Sequence, residues 1–187
     1  MFDSFIDLEN SSRTFIIAEA GSNWKCGNYD DDIKRGKELI KIAASSGADA
    51  VKFQTYRAEE TYVSNAGSSN YLSKQGIDED INKIFKNLEM PYNMISILAK
   101  YAEEQQILFM STPFSVKDAK EIDPFVSIHK IASFEINHIR LIEFLAKTKK
   151  PLIISTGAST YEEIDFAVNL IKKIHNNIAL LQCTSKY

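Results

Sequence analysis

Two lysines interrupt segments of the sequence that are otherwise apolar and predicted to form buried strands. Lys52 lies near the C-terminal end of one segment, and Lys130 near the C-terminal end of another. A buried ammonium group without a partner is very costly, so each lysine requires a counter-charge or a polar cavity. A structural ion pair, with Glu19 or Glu135, would meet this requirement. Two such lysines on different strands favour instead one pocket that binds a multiply charged anion.

Further polar residues occur at or just beyond the C-terminal ends of the predicted strands. The full set is Glu19, Lys52, Gln54, Ser111, Lys130, Ser133, Glu135, Ser155, Thr184 and Ser185. Because side chains alternate along a strand, Lys52 and Gln54 are predicted to share one face and to point into the same cavity. The turn at 155–159 places hydroxyl side chains and backbone N–H groups before a helix, which is typical of an anion site. An ordinary strand-to-helix turn, with Ser159 as the helix cap, is an equal alternative.

Short apolar segments alternate with helical patterns along the chain. Strands are predicted at 14–19, 48–54, 107–111, 128–132, 151–155 and 178–182. Helices are predicted at 30–46, 78–88, 92–104, 116–122, 139–147 and 159–174. Continuous apolar strands between helices indicate an α/β protein with a parallel sheet. Polar residues after every strand favour a TIM-type (β/α)8 barrel, with only its first six βα units in this chain. A doubly wound sheet would instead concentrate them at one switch point.

The composition excludes several classes of protein. The 187 residues, 44% of them hydrophobic, can bury one core, and we predict that 1–187 belong to a single barrel domain. The net charge of −3 and the scattered basic residues indicate neither nucleic acid nor an anionic membrane as a partner. No apolar run reaches the ~20 residues of a membrane span, and the acidic N-terminus lacks the pattern of a signal peptide. Two distant cysteines without metal-type spacing fit a cytoplasmic protein.

Five motifs, in order along the chain, resemble the sialic acid synthase family, which includes N-acetylneuraminate, pseudaminate and legionaminate synthases. The motifs are Ala18–Asn23, Gly47–Gln54, Lys130–Glu135, Ser155–Gly157 and Cys183–Tyr187. Members of this family condense phosphoenolpyruvate with an N-acetylated aminosugar, form a nonulosonic acid and release phosphate. The resemblance therefore implies this reaction. It also implies a divalent metal, manganese or magnesium, and a homodimer for the full-length enzyme.

The resemblance also implies roles for single residues. The phosphate and carboxylate groups of phosphoenolpyruvate would be bound by Lys52, Lys130, Ser133 and Ser155, with Ser185 as a further polar contact. Gln54 is predicted to bind the substrate because it shares its face of the strand with Lys52. Three further residues would lie near the sugar and the reacting carbons, namely Glu19, Glu135 and Tyr187. A carboxylate such as Glu135 could orient the open-chain sugar or transfer protons. Phe134 resembles the pseudaminic acid branch more than the N-acetylneuraminic acid branch.

The sequence departs from the family pattern at two places. Trp24 stands where the family usually has a histidine, and it either covers the opening of the site or is simply buried. The family's two metal-ligand histidines belong to the seventh and eighth strands. We expect these strands, and the C-terminal antifreeze-like domain, to be absent from this chain. His129, His138 and His175 are expected to be structural, because His129 alternates away from the Lys130 side and the other two lie at helix ends. The metal ligands are therefore expected outside this chain.

We therefore hypothesise that this chain is the N-terminal part of a nonulosonic acid synthase and that it is inactive alone. One alternative is a class I aldolase that forms a Schiff base through Lys52 or Lys130. A second alternative is a non-catalytic barrel fragment. The exposed edges of its first and sixth strands would pair with another chain.

Overall fold

Six strands form two three-stranded sheets in the computed structural model, which describes residues 13–68, 73–74, 76 and 79–184. The first sheet contains, in spatial order, β1 (Ile17–Gly21), β2 (Ala50–Thr55) and β3 (Leu108–Pro113). The second sheet contains, in spatial order, β4 (His129–Ile131), β5 (Leu152–Ser155) and β6 (Ile178–Leu181). Each of the four strand pairings within these sheets is parallel, and β3 contacts β4 where the sheets meet.

Helices connect the strands, and all of the α-helices in the described residues except the short helix at 58–61 fall where the sequence pattern predicts a helix. They are α1 (Tyr29–Ser45), α2 (Ala58–Thr61), α3 (Ile81–Asn87), α4 (Tyr92–Glu104), α5 (Val116–Ile122), α6 (Ile139–Lys147) and α7 (Tyr161–Lys172). Two short 3₁₀ helices, Asp123–Phe125 and Ser133–Glu135, precede and follow β4. The α/β class is confirmed, whereas the assignment of these strands to six units of an eight-stranded barrel remains a prediction.

The start of α7 differs from the prediction by one residue. Thr160 has extended backbone dihedrals, and its hydroxyl oxygen accepts a hydrogen bond from the backbone N–H of Glu163. The Glu163 carboxylate accepts one from the Thr160 N–H in return, which completes a capping box. Ser159, the predicted cap, donates its hydroxyl proton to the Gly157 carbonyl oxygen instead. The prediction that Ser159 caps this helix was therefore wrong, because the chain is still in the preceding turn at that residue.

Two large apolar clusters lie between the helices and the sheets. The first packs α1 and α4 against the sheet of β1, β2 and β3, and the second packs α6 and α7 against the other sheet. Trp24, which is 1% exposed, belongs to the first cluster. Of the two alternatives for this tryptophan, the structure thus supports burial in the core.

A third, smaller cluster joins the two sheets. It consists of Ala50, Met110, Ile128 and Ile153, all of them buried. These residues belong to β2, β3 and β5 and to the position just before β4. Because side chains from both sheets meet there, the sheets curve around one common interior, as inward-pointing layers do in parallel barrels.

The outer strands of the two sheets expose apolar side chains. Ile16, next to β1, is 52% exposed, and Leu180 and Leu181 of β6 are 49% and 41% exposed. Strand edges with exposed apolar residues are typical surfaces for packing against a further segment. Among the helices of the described residues, none is long and apolar enough to cross a membrane.

Candidate functional site

A polar layer lies directly above the small interior cluster. The residues two positions beyond the four cluster residues are Lys52, Thr112, Lys130 and Ser155. Because strand side chains alternate with a period of two, these four point to the same side as the apolar cluster, nearer the C-terminal ends of the strands. Lys52 and Lys130 are only 8% and 6% exposed. The alternation therefore places two buried cations in one layer, where the sequence predicts an anion pocket.

Lys52 is held by partners from both neighbouring strands. The parallel register places Glu19 of β1 opposite Lys52, and the Glu19 carboxylate forms an ion pair with the Lys52 ammonium group. On the other side, Nζ donates a hydrogen bond of 3.2 Å to Oγ1 of Thr112 on β3. Glu19 is half exposed, so this ion pair connects the buried layer to the solvent. The ion pair considered as an alternative for Lys52 is thus present in the structure.

Lys130 lies in the same layer, where burial and the positive charge of Lys52 lower its pKa. Its Nζ donates hydrogen bonds to the Ser155 hydroxyl at 2.7 Å and to the Ile131 carbonyl oxygen at 2.8 Å. Burial, followed by the nearby positive charge of Lys52, lowers the pKa of Lys130 from 10.5 to about 8. An ammonium group in this state gains free energy when an anion binds beside it, because the anion offsets both effects.

Ser133 is fixed by the turn that follows β5. Its hydroxyl oxygen accepts a hydrogen bond of 3.1 Å from the Gly157 N–H and lies 3.7 Å from Sγ of Cys183. The N–H of Thr156 donates to the Leu181 carbonyl oxygen at 3.0 Å. Two N–H groups of this turn are thus bonded within the protein, and an anion site at the turn remains a prediction. The turn acts as a support for Ser133.

Two further predicted residues occupy different positions around the layer. Gln54 is half-buried and stands next to Thr112 in the strand register, and its side chain makes no hydrogen bond to the described residues. Ser111 points to the opposite face of β3, where its hydroxyl forms a buried hydrogen bond of 2.7 Å with Thr55. Ser111 lies near the C-terminal end of β3, as predicted, but outside the polar layer, whereas Thr112, which the sequence pattern missed, belongs to the layer. The period of two from Met110 would have identified Thr112.

Glu135 is a buried acid in the segment that follows β4. It is 8% exposed at the end of the 3₁₀ helix that follows β4. Burial raises the pKa of Glu135, a hydrogen bond from His138 lowers it, and the nearby charge of Asp118 raises it. The His138 Nδ1 atom lies 2.5 Å from Glu135 Oε2. Sequence reasoning assigned His138 a structural role and missed this pair, although the i, i+3 spacing of an acid and a histidine was visible.

An exposed aromatic ring adjoins this acid. Phe134 is 61% exposed, and its ring packs on Phe114 with centroids 5.2 Å apart. Phe114 in turn contacts the edge of the buried Tyr56 ring at 5.5 Å. The surface next to Glu135 is therefore apolar and supported by packed aromatic rings.

The remaining histidines lie away from the polar layer. His129 points to the other face of β4, as predicted, and its Nε2 lies 2.9 Å from Asp123 Oδ1. His175 accepts a hydrogen bond at Nδ1 from the Asn177 N–H. Among the residues that the structure describes, no group of three or more His, Cys, Asp or Glu side chains could hold a metal ion. Ser185 and Tyr187, both predicted site residues, lie outside the described residues.

Comparison with known proteins identifies the family. Residues 39–187 match the NeuB family. The chain belongs to the NeuB family. This confirms the resemblance to sialic acid synthases that the five motifs indicate.

Relatives of this NeuB member include named synthases of acidic sugars. An N,N'-diacetyllegionaminic acid synthase from Campylobacter jejuni is 36% identical, over 94% of this chain and 52% of the relative. A pseudaminic acid synthase from the same species is 32% identical, over 97% of this chain and 52% of the relative. The crystal structure of an N-acetylneuraminic acid synthetase from Leptospira borgpetersenii, in complex with citrate, matches with a TM-score of 0.77 and 33% identity. That match covers 92% of this chain and 55% of the other. The chain thus spans about half the length of the relatives it matches.

Proposed function

We propose that the complete enzyme condenses phosphoenolpyruvate with an N-acetylated aminosugar to form a nonulosonic acid and release phosphate. The observation that best supports this function is the buried layer in which the Lys52 charge lowers the pKa of Lys130. Two ammonium groups at such proximity favour a ligand with more than one negative charge. Phosphoenolpyruvate meets this requirement, because its phosphate and carboxylate groups are attached to the same carbon.

The proposed ligand would accept hydrogen bonds from cations and hydroxyl groups together. The residues proposed to bind it are Lys52, Lys130, Ser133 and Ser155, with Gln54 and Ser185 as additional polar contacts. Lys130 and Ser155 are already joined by a hydrogen bond and present one combined donor surface. Lys52 is paired with Glu19, so the anion competes with this carboxylate for the ammonium group.

In the proposed reaction, C3 of phosphoenolpyruvate attacks the aldehyde carbon of the open-chain sugar while water adds to C2. The electrons of the enol double bond form the new carbon–carbon bond, and the aldehyde oxygen takes up a proton. The water loses a proton, and the tetrahedral C2 centre expels inorganic phosphate as its hydroxyl becomes the keto group. Burial raises the pKa of Glu135, which suits this acid to donate the proton to the aldehyde oxygen. Glu19 and Tyr187 are proposed to lie near the same reacting carbons.

A divalent metal, manganese or magnesium, belongs to the proposal only through the family resemblance. The described residues do not supply a ligand set that fits such an ion. We therefore place the ligands outside the described residues and assign the ion no step. The cytoplasmic location and the homodimer of the full-length enzyme likewise remain predictions.

The aminosugar is proposed to belong to the pseudaminic acid branch, because the fourth-strand motif with Phe134 resembles that branch; the Phe134 ring is exposed next to Glu135. The relatives named for legionaminic and pseudaminic acid are 36% and 32% identical. Overall identity therefore does not separate the two branches. A panel of aminosugars, assayed with the complete enzyme and mass-spectrometric detection of the product, separates them. Preference for the legionaminic acid precursor would overturn the assignment to the pseudaminic acid branch.

The direct test of the binding site is an NMR titration of the chain with phosphoenolpyruvate. We expect shifts of the Lys130 and Ser155 backbone resonances, with a dissociation constant on the order of 1 mM, because the 187 residues span about half the length of the relatives. Pyruvate, which lacks the phosphate, is the control and should bind more weakly. The absence of these shifts at about 20 mM phosphoenolpyruvate would contradict the proposed site. For the 187 residues assayed alone with manganese we expect no turnover, and measurable synthase activity would contradict the need for the rest of the enzyme.

The class I aldolase remains a rival because the lowered pKa of Lys130, about 8, leaves part of this amine neutral near neutral pH. Borohydride reduction in the presence of pyruvate separates the two functions. A covalent adduct on Lys130, detected by mass spectrometry, would support the aldolase, and its absence with retained phosphoenolpyruvate binding would support the synthase.

The non-catalytic fragment is the second rival, and the exposed apolar residues along β1 and β6 favour it. Light scattering is the test. A chain that self-associates and does not bind phosphoenolpyruvate would support this rival.

A further inference from the structure

A histidine side chain is directed at the buried acid of the proposed site. The Nδ1 atom of His138 lies 2.5 Å from Oε2 of Glu135, and the Glu135 residue is 8% exposed. Because an ionised carboxylate only accepts hydrogen bonds, Nδ1 is the donor whenever Glu135 is charged. The second oxygen, Oε1, makes no hydrogen bond to the described residues.

The backbone around this pair fixes its geometry. The 3₁₀ helix Ser133–Glu135 leads directly into the start of α6, and the His138 N–H donates a hydrogen bond of 2.9 Å to the Glu135 carbonyl oxygen. The two residues are thus connected through both their backbones and their side chains. A side-chain hydrogen bond closed over only three residues leaves Oε2 with little freedom to reorient.

The position of His138 is not explained by helix stability alone. His138 is the residue that precedes α6, where Ser, Thr, Asp or Asn would accept a hydrogen bond from the first turn. The His138 side chain forms no such capping bond. Its imidazole contacts Glu135 instead, so the side chain at this position serves the acid rather than the helix.

We propose that His138 is a positioning residue that holds Glu135 through Oε2 and keeps Oε1 directed toward the substrate of the condensation reaction. This inference rests on the proposed function of the site. His138 does not touch the reacting carbons in this assignment, and it acts only through Glu135.

The charged surroundings of Glu135 give the proposal a measurable consequence. Burial raises the pKa of Glu135, the His138 hydrogen bond and charge lower it, and the Asp118 charge from α5 raises it. His138 is therefore the neighbour that favours the ionised form. Without His138, burial and the Asp118 charge remain, and both favour the protonated form. Glu135 should then titrate at higher pH.

The test is a carbon-13 NMR titration of the Glu135 side-chain carboxyl group in the 187-residue chain, assigned with Glu135→Gln. The variant His138→Asn removes the imidazole but supplies a good helix cap, so a purely structural role would be preserved or improved. We expect an upward shift of the Glu135 titration in His138→Asn and no shift in the control His175→Asn, which removes a histidine far along the chain at the end of α7. We also expect the melting temperature of His138→Asn not to fall.

Two results would overturn the proposal. The first is an unchanged Glu135 titration in His138→Asn, and the second is a shift of equal size in His175→Asn. The proposed function is tested separately in the same samples. Its readout is the chemical-shift change of Lys130 and Ser155 when phosphoenolpyruvate is added. Loss of those shifts with a displaced Glu135 titration would refute the synthase site and leave the His138–Glu135 coupling intact.

Discussion

Replacing Lys130 with methionine is expected to separate stability from function at this site. Lys130 is 6% exposed, and its pKa falls from 10.5 to about 8, first because of burial and second because of the Lys52 charge. At about 1.4 kcal/mol per pKa unit, keeping this lysine charged at pH 7 costs the folded state about 3 kcal/mol. Methionine has a similar length and carries no charge, so the substitution removes this cost.

Two lost hydrogen bonds oppose this gain. They run from Lys130 Nζ to the Ser155 hydroxyl and to the Ile131 carbonyl oxygen, and each contributes about 1 kcal/mol. We therefore expect the free energy of unfolding of Lys130→Met at pH 7 to exceed that of the wild type by about 1 kcal/mol. Because the folded-state pKa lies below the unfolded value, the cost of the charge is fully present below about pH 8. It disappears as the pH approaches 10.5, and the advantage of the variant should disappear with it.

Urea unfolding with and without phosphoenolpyruvate measures both properties in one experiment. At about 20 mM ligand and a dissociation constant near 1 mM, the wild type should gain about 2 kcal/mol. Lys130→Met, which lacks one of the two cations, should gain less than about 0.5 kcal/mol. The exposed Lys100→Met is the matched control and should change neither property. A variant that loses several kcal/mol at pH 7 would refute the burial cost, and one that is stabilised by the ligand like the wild type would remove Lys130 from the binding site.

Three further substitutions test other parts of the structure. Glu19→Gln removes the carboxylate that competes for Lys52, so we expect two- to five-fold tighter phosphoenolpyruvate binding in the NMR titration, and weaker binding would contradict the competition. Burial raises the pKa of Asp123, but hydrogen bonds from a lysine and a histidine lower it overall. Asp123→Asn should therefore cost about 1–2 kcal/mol of unfolding free energy at pH 7, and this difference should shrink as the pH falls through the Asp123 pKa. Thr160→Ala should lower the melting temperature by an amount equivalent to about 1 kcal/mol, whereas Ser159→Ala should have little effect; the reverse order would restore the original capping prediction.

Much of the fold follows from local patterns that are visible in the sequence. Apolar segments of five to seven residues between helical periodicities correspond to β1–β6, and Gly47, with its positive φ, follows the end of α1. These patterns depend on contacts within a few residues, so the sequence is sufficient to locate them. Helix starts are less certain because several neighbouring residues can cap, as Ser159 and Thr160 illustrate.

The candidate site was predictable only in part, because its members come from different strands. Alternation within one strand places Lys52 above Ala50 and Lys130 above Ile128, and the polar layer above an apolar layer is thus a property of the sequence. The same rule would have added Thr112 to the predicted layer, had it been applied to the third strand.

The sequence by itself determined which residues alternate inward and which motifs belong to a family of sugar-acid synthases. The tertiary structure alone decided which of those side chains meet. Glu19 and Thr112 reach Lys52 because parallel register aligns β1 and β3 with β2, and Thr112 is 60 residues away in the chain. The charge of Lys52 acts on Lys130 because the two sheets curve around one interior. Register and curvature arise from packing over the whole domain, and no local pattern of residues contains them.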